Sequence, residues 1–136
     1  MGRALLAVLL VLAALAGGCA GGSSSAGDFK GEEKKVAEKV EQLQTAGGTG
    51  DAAEICNDIL SKALRDRTQA AGSSCEQELD KAIGDADDFD LDVEAVTITG
   101  STATAKVKGR DEDRDAVRDL EFVREGSDWR ATSLGS

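Results

Sequence analysis

From Asp28 onward the apolar positions recur with helical spacing: Phe29, Val36, Val40 and Leu43 share one face, while Glu32, Glu33, Lys34, Lys35, Glu38 and Lys39 solvate the other. The pattern predicts a first helix ended by Gly47-Gly48. Asp51, with Glu54 three positions on, reads as a capping pair that opens a second helix, whose apolar face is Ala52, Ile55, Cys56, Ile59, Leu60, Ala63 and Leu64. A bend or fraying is expected after Ser61, and Arg65 to Gly72 reads as a polar connector, with a partly helical course left open. Ser73 or Ser74 caps a short third helix, with Cys75, Leu79, Ala82 and Ile83 inward and Gly84 as its stop.

Beyond the acidic run Asp85 to Asp90 the period changes from helix to strand. Leu91 and Val93, then Val96 and Ile98, alternate with polar residues, and the change of parity between them predicts a bulge near Glu94-Ala95. Gly100-Ser101 is a hairpin turn that sets Ile98 against Ala103, Val96 against Ala105 and Val93 against Val107, with Thr97 and Thr99 facing Thr104 and Thr102 on the wet side. After a charged loop, Gly109 to Asp115, a third strand (Val117 to Glu125) turns at Gly126-Ser127 into a fourth (Asp128 to Leu134), with Ala131 opposite Phe122. The expected class is α+β: three N-terminal helices packed on a four-stranded antiparallel sheet.

Ahead of the domain, Arg3 precedes an uninterrupted apolar run from Ala4 to Ala16, too short to cross a bilayer. Leu15-Ala16-Gly17-Gly18-Cys19 looks like a bacterial lipobox, which implies a signal peptide over 1–18, diacylglyceryl transfer to Cys19 and cleavage just before it. A plain secretory signal and an uncleaved anchor are the alternatives. Ala20 to Gly27 reads as a Gly/Ser tether with a reach of roughly 15 Å, so that 19–27 is lipidated cysteine plus linker and 28–136 is the folded domain. The expected location is the outer face of the cell membrane.

Composition narrows the chemistry. About 118 residues follow the leader, enough for one domain with a modest core built from Ala, Val, Leu and Ile. The chain holds 26 Asp and Glu against 16 Lys and Arg, which argues against nucleic acid and against direct adhesion to an anionic bilayer. It has no His and no Tyr, removing the commonest general base and a common oxyanion donor. Cys56 and Cys75, the two cysteines besides Cys19, read as a disulfide in an exported chain. Buried free thiols are the alternative, and a catalytic thiol lacks an activating His. The acidic run suggests calcium, but read from Asp88 as an EF-hand loop it has Val93 where Gly is required and Thr99 where Glu is required. A solvated loop is the better account, and neither a metal nor a cofactor is expected. Asp28 and Glu32 suit the start of a helix, with a pocket acid as the alternative. Trp129 reads as a core residue, or one on which Arg124 stacks, or a ligand wall beside Leu120 and Phe122.

The order of elements, the phrases Ala53 to Ser61 and Ser74-Cys75, and the closing hairpin Leu120 to Leu134 with its Val-Arg-Glu-Gly-Ser-Asp-Trp-Arg run resemble the nuclear-transport-factor-2-like (SnoaL-like) superfamily. More narrowly, 28–136 looks like the small actinobacterial lipoproteins of that superfamily. The resemblance implies a cone in which a curved sheet wraps the first helix and often leaves a pocket open at one end. Enzymes of the superfamily line that pocket with Asp, His and Tyr. The functional expectation is a lipid-anchored, non-catalytic binding or assembly module. Its partners would be the membrane through Cys19 and either an apolar small ligand, with Leu120, Phe122 and Trp129 as walls, or a membrane complex. The alternatives are a small enzyme using a pocket Asp or Glu on an apolar metabolite, and an accessory subunit of a membrane complex.

Overall fold

The computed structural model describes residues 25–86, 89–110 and 115–135. The leader, Cys19, Asp87, Asp88 and residues 111–114 of the expected charged loop lie outside the described residues.

The described structure includes three residues ahead of the expected boundary. Ser25–Asp28 form a 3-10 turn, Ala26 is buried, and its N–H donates to Glu41 Oε1 at 3.0 Å. The last part of the expected linker is therefore seated in the domain. The first helix, α1, spans Gly31–Thr49 and buries Val36, Ala37, Val40, Leu43, Ala46 and Gly47. It does not stop at Gly47-Gly48. It ends at Gly50, whose φ of 75° only glycine adopts cheaply. The N–H groups of Gly50 and Asp51 bond back to Gly47 O at 3.2 Å and Ala46 O at 2.8 Å, the paired bonds of a Schellman cap. Gly47 serves a different purpose: Phe89 packs flat on it, and a Cβ there would meet the ring at 2.3 Å.

The expected second helix is divided. Asp51 does cap it, accepting from Glu54 N at 2.9 Å, but α2 is only the turn Ala52–Glu54 and runs on as a π-helical turn, Ile55–Ile59. Leu60 is extended, and Ser61 then caps a separate helix, α3 (Lys62–Ala70), by accepting from Leu64 N. Ala63, expected to face inward, is exposed and Leu64 is half-buried. The polar stretch from Arg65, expected as a connector with part of it helical, is helical as far as Ala70. Helix α4 (Cys75–Gly84) opens with a full capping box in which Ser74 and Gln77 exchange hydrogen bonds. Among the described residues four α-helices thus precede the sheet, where three were expected.

The sheet follows the expected register. Strands β1 (Leu91–Thr99), β2 (Thr102–Arg110), β3 (Asp115–Glu125) and β4 (Asp128–Ser133) form an antiparallel meander in the order β1-β2-β3-β4. The bulge lies between Val93 and Ala95, and Val93 pairs with Val107, Val96 with Ala105 and Ile98 with Ala103. Phe122 pairs with Ala131 and Arg124 with Trp129. The inward row Ala103, Ala105, Val107, Leu120, Phe122, Trp129 and Ala131 is buried against α1 and the π-turn, while Thr97, Thr99 and Thr102 face water.

Cys56, in the π-turn, and Cys75, the first residue of α4, are joined Sγ to Sγ at 2.07 Å. The bond spans 19 positions, for which the loop-entropy model gives about 3 kcal/mol. Replacing both cysteines by Ser is expected to lower unfolding free energy by about that amount in urea titrations. An unchanged urea midpoint would show that the bridge contributes nothing to stability.

Candidate functional site

Leu120, Phe122 and Trp129, expected as walls of an apolar pocket, lie in the closed core with at most 2% of their surface exposed. Neither described cleft is lined by them. Their strand parity points them inward beneath α1, where they serve as packing. Trp129 brings an indole N–H into that core, and a buried N–H needs an acceptor. Glu32, in the first turn of α1, supplies it: Trp129 Nε1 donates to Glu32 Oε2 at 2.9 Å. The Arg124 guanidinium lies over the Trp129 ring, 5.2 Å from its centroid, and donates to the same carboxylate oxygen. Lys35 Nζ donates to the other oxygen at 2.8 Å.

These three donors set the acidity of Glu32. The Lys35 ammonium first, then the Trp129 N–H and the Arg124 guanidinium, hold its pKa down to about 2 despite partial desolvation. A carboxylate so strongly stabilised as an anion is a poor proton acceptor at neutral pH. Glu32 therefore acts as the acceptor that closes the sheet over α1. Asp28 sits in the 3-10 turn before the helix.

The acidic run contributes polar contacts at its described end: Gln44 Nε2 donates to Asp90 Oδ1 at 3.3 Å. Among the described residues no three His, Cys, Asp or Glu side chains are grouped to hold a metal ion. No described helix is long and apolar enough to cross a membrane.

Among the described residues, a cleft of about 380 Å³ lies between α3 and α4, with the Cys56–Cys75 bridge in its lining. Helix α3 reaches it through Lys62, Arg65, Asp66 and Gln69, and α4 through its cap Ser74 and first turn. Lys62 and Asp66, one turn apart on α3, pair at 2.6 Å and neutralise each other. Arg65 from α3 and Glu76 from α4 also line the cleft. Arg65 Nε is withdrawn from solvent and has no hydrogen-bond partner. The sequence carried a faint signal of this site, since the cysteine pairing draws Lys62 to Gln69 alongside Ser74 to Glu76. A second, shallower hollow of about 500 Å³ lies where Gly47 to Gly50 meet Ile83 and Phe89.

The low pKa of Glu32 has a consequence for stability against pH. Its folded pKa lies below the ordinary value of 4.5, so its contribution is complete above the unfolded pKa and is lost as pH falls toward 2. Glu32→Gln should therefore flatten the loss of stability between about pH 5 and pH 2, read from urea midpoints at successive pH values. Superimposable profiles for the two proteins would contradict the clamp.

No family model matches the chain, and no curated protein or solved structure matches it.

Proposed function

We propose that this chain is a lipid-anchored, outward-facing binding or assembly module that performs no catalysis. The single observation that carries the non-catalytic half is the engagement of Glu32. The Glu32 carboxylate is held as an anion by Lys35, Trp129 and Arg124, and Leu120, Phe122 and Trp129 are buried. His and Tyr, the usual partners of such an acid, do not occur in the chain.

The anchoring half rests on the apolar run Ala4 to Ala16 and on Gly17-Gly18-Cys19. A diacylglyceryl group on Cys19 supplies the two acyl chains that stable attachment requires. Because Ala26 is already buried in the domain, the chain from Cys19 to the fold spans at most about 25 Å when fully extended. The domain in this reading works close to the bilayer surface and is kept off it by its own negative charge.

The long helix packed across an antiparallel meander, with the closing phrase Val123 to Arg130, supports assignment to the nuclear-transport-factor-2-like superfamily. Within it, the reading is of a small actinobacterial lipoprotein whose cone is filled and whose recognition surface lies outside the cone.

Metabolic labelling with an alkyne fatty acid, followed by membrane fractionation, tests the anchor. The wild type should be labelled and sediment with membranes, whereas Cys19→Ser should be unlabelled and retain its leader. Equal labelling of the two would end the lipoprotein reading. Turnover of an apolar metabolite that disappears in Glu32→Gln would overturn the non-catalytic reading.

A further inference from the structure

We infer that the cleft between α3 and α4 is a binding site for a small zwitterion, a free α-amino acid or an amino carboxylate of similar size, with its carboxylate on Arg65 and its ammonium on Glu76. The inference rests on reading the domain as a binding module and names the chemistry of its site.

The charge balance of the lining is the starting point. Of its four charged side chains, Lys62 and Asp66 are committed to each other at 2.6 Å. The side chains of Arg65 and Glu76 make no hydrogen bond or ion pair with any described residue, including each other. One positive and one negative group, presented from two different helices across one cleft, are thus left to a ligand that carries both signs. A simple anion would satisfy Arg65 and be repelled by Glu76, and a simple cation the reverse.

Arg65 makes the stronger demand. Its Nε is shut away from water without a partner, an arrangement that costs free energy unless an acceptor arrives. The planar guanidinium fork matches a carboxylate in a bidentate pair. Around these two charges the lining adds the amides of Asn57 and Gln69 and the hydroxyl of Ser74, which can donate to or accept from a small polar side chain. The Cys56–Cys75 sulfurs supply a compact apolar surface in the same wall. A volume of about 380 Å³ admits an amino acid and is too small for a folded partner.

The test is a titration of the full, oxidised chain in detergent micelles with glycine, serine and glutamine, followed by amide NMR shifts and by calorimetry. Acetate and methylammonium provide the single-charge comparisons. At least one amino acid should give saturable shifts at Asn57, Arg65, Gln69, Ser74 and Glu76. Affinity should fall roughly tenfold or more in Arg65→Gln and in Glu76→Gln, with thermal unfolding confirming that both variants are folded. Acetate should bind more weakly than the amino acid, and its affinity should not fall in Glu76→Gln. No saturable shift with any amino acid, or equal affinity in the wild type and both variants, would overturn the site. Acetate binding as tightly as glycine would overturn its zwitterionic character. None of these outcomes bears on the labelling of Cys19, so failure here and failure of the anchored-module reading are distinguishable.

Discussion

The helical half of the chain is arranged around one reversal, at Leu60 and Ser61. Strand β4 ends the sheet on one side, and its outward backbone groups need partners if they are not to stand open. Leu60 abandons helical geometry to bridge Ala131 in parallel, and Ser61 N donates to Ala131 O at 2.8 Å. Ser61 is fully buried, and its hydroxyl is spent on Leu64 N. Two further bonds reinforce the seam: Lys62 N to Glu125 Oε1 at 2.9 Å and an Arg67 guanidinium N–H to Thr132 O at 3.2 Å. A helix continuing through this point would have left the strand edge unpaired. Because the chain turns here, α3 leaves the sheet at an angle that opens the cleft toward α4.

A core poor in aromatic area is compensated by close approach and by polar clamps. Ala37, Ala46 and Gly47 let α1 come near the sheet, and Phe89 occupies the space a side chain at Gly47 would take. Lys39, largely buried, ties α1 to two neighbours by donating to Asp58 O at 3.1 Å and Asp128 Oδ2 at 3.4 Å. Glu32 does the same for β3 and β4 through Arg124 and Trp129. These contacts satisfy groups that would be expensive to bury alone, so they specify how α1 lies on the sheet more than they add to its stability.

This division explains what could be read from the sequence. A strand has a period of two, so one misplaced residue would turn Ala103, Ala105 and Val107 to water; the Gly100-Ser101 and Gly126-Ser127 turns then leave a single register. The bulge at Glu94-Ala95 was legible for the same reason. Helix ends were less so. Gly47 looked like a stop and is a packing position, while Gly50 performs the stop. The break at Leu60 lies beside the bend expected after Ser61, but its cause was not legible, because the hydrogen bonds that favour it belong to a strand some seventy positions away. Glu32 and Trp129, separated by 97 positions, are joined by folding alone. Trp129, Phe122 and Leu120 share an inward parity that marks a core and a pocket wall alike, and the packing of α1 decides between them. Arg65 and Glu76 carried no signal of their own, and only the expected Cys56–Cys75 pairing brought their segments near each other.

The bridge therefore has a second role beyond constraining the unfolded chain. Helix α3 buries none of its residues fully, and only Leu64 packs against the core from it. It is held at its start by Ser61, at its far end by Arg67 and, through the turn at Gly72, by α4. Helix α4 in turn buries only Cys75. An element with so few apolar contacts belongs to the least stable part of a fold, and here the covalent link is what keeps its partner helix in place. Opening the disulfide would leave α4 fastened by the half-buried Leu79 and Ile83 and would free the wall that carries Glu76 from the wall that carries Arg65. The geometry of the cleft thus depends on an oxidised Cys56–Cys75 pair.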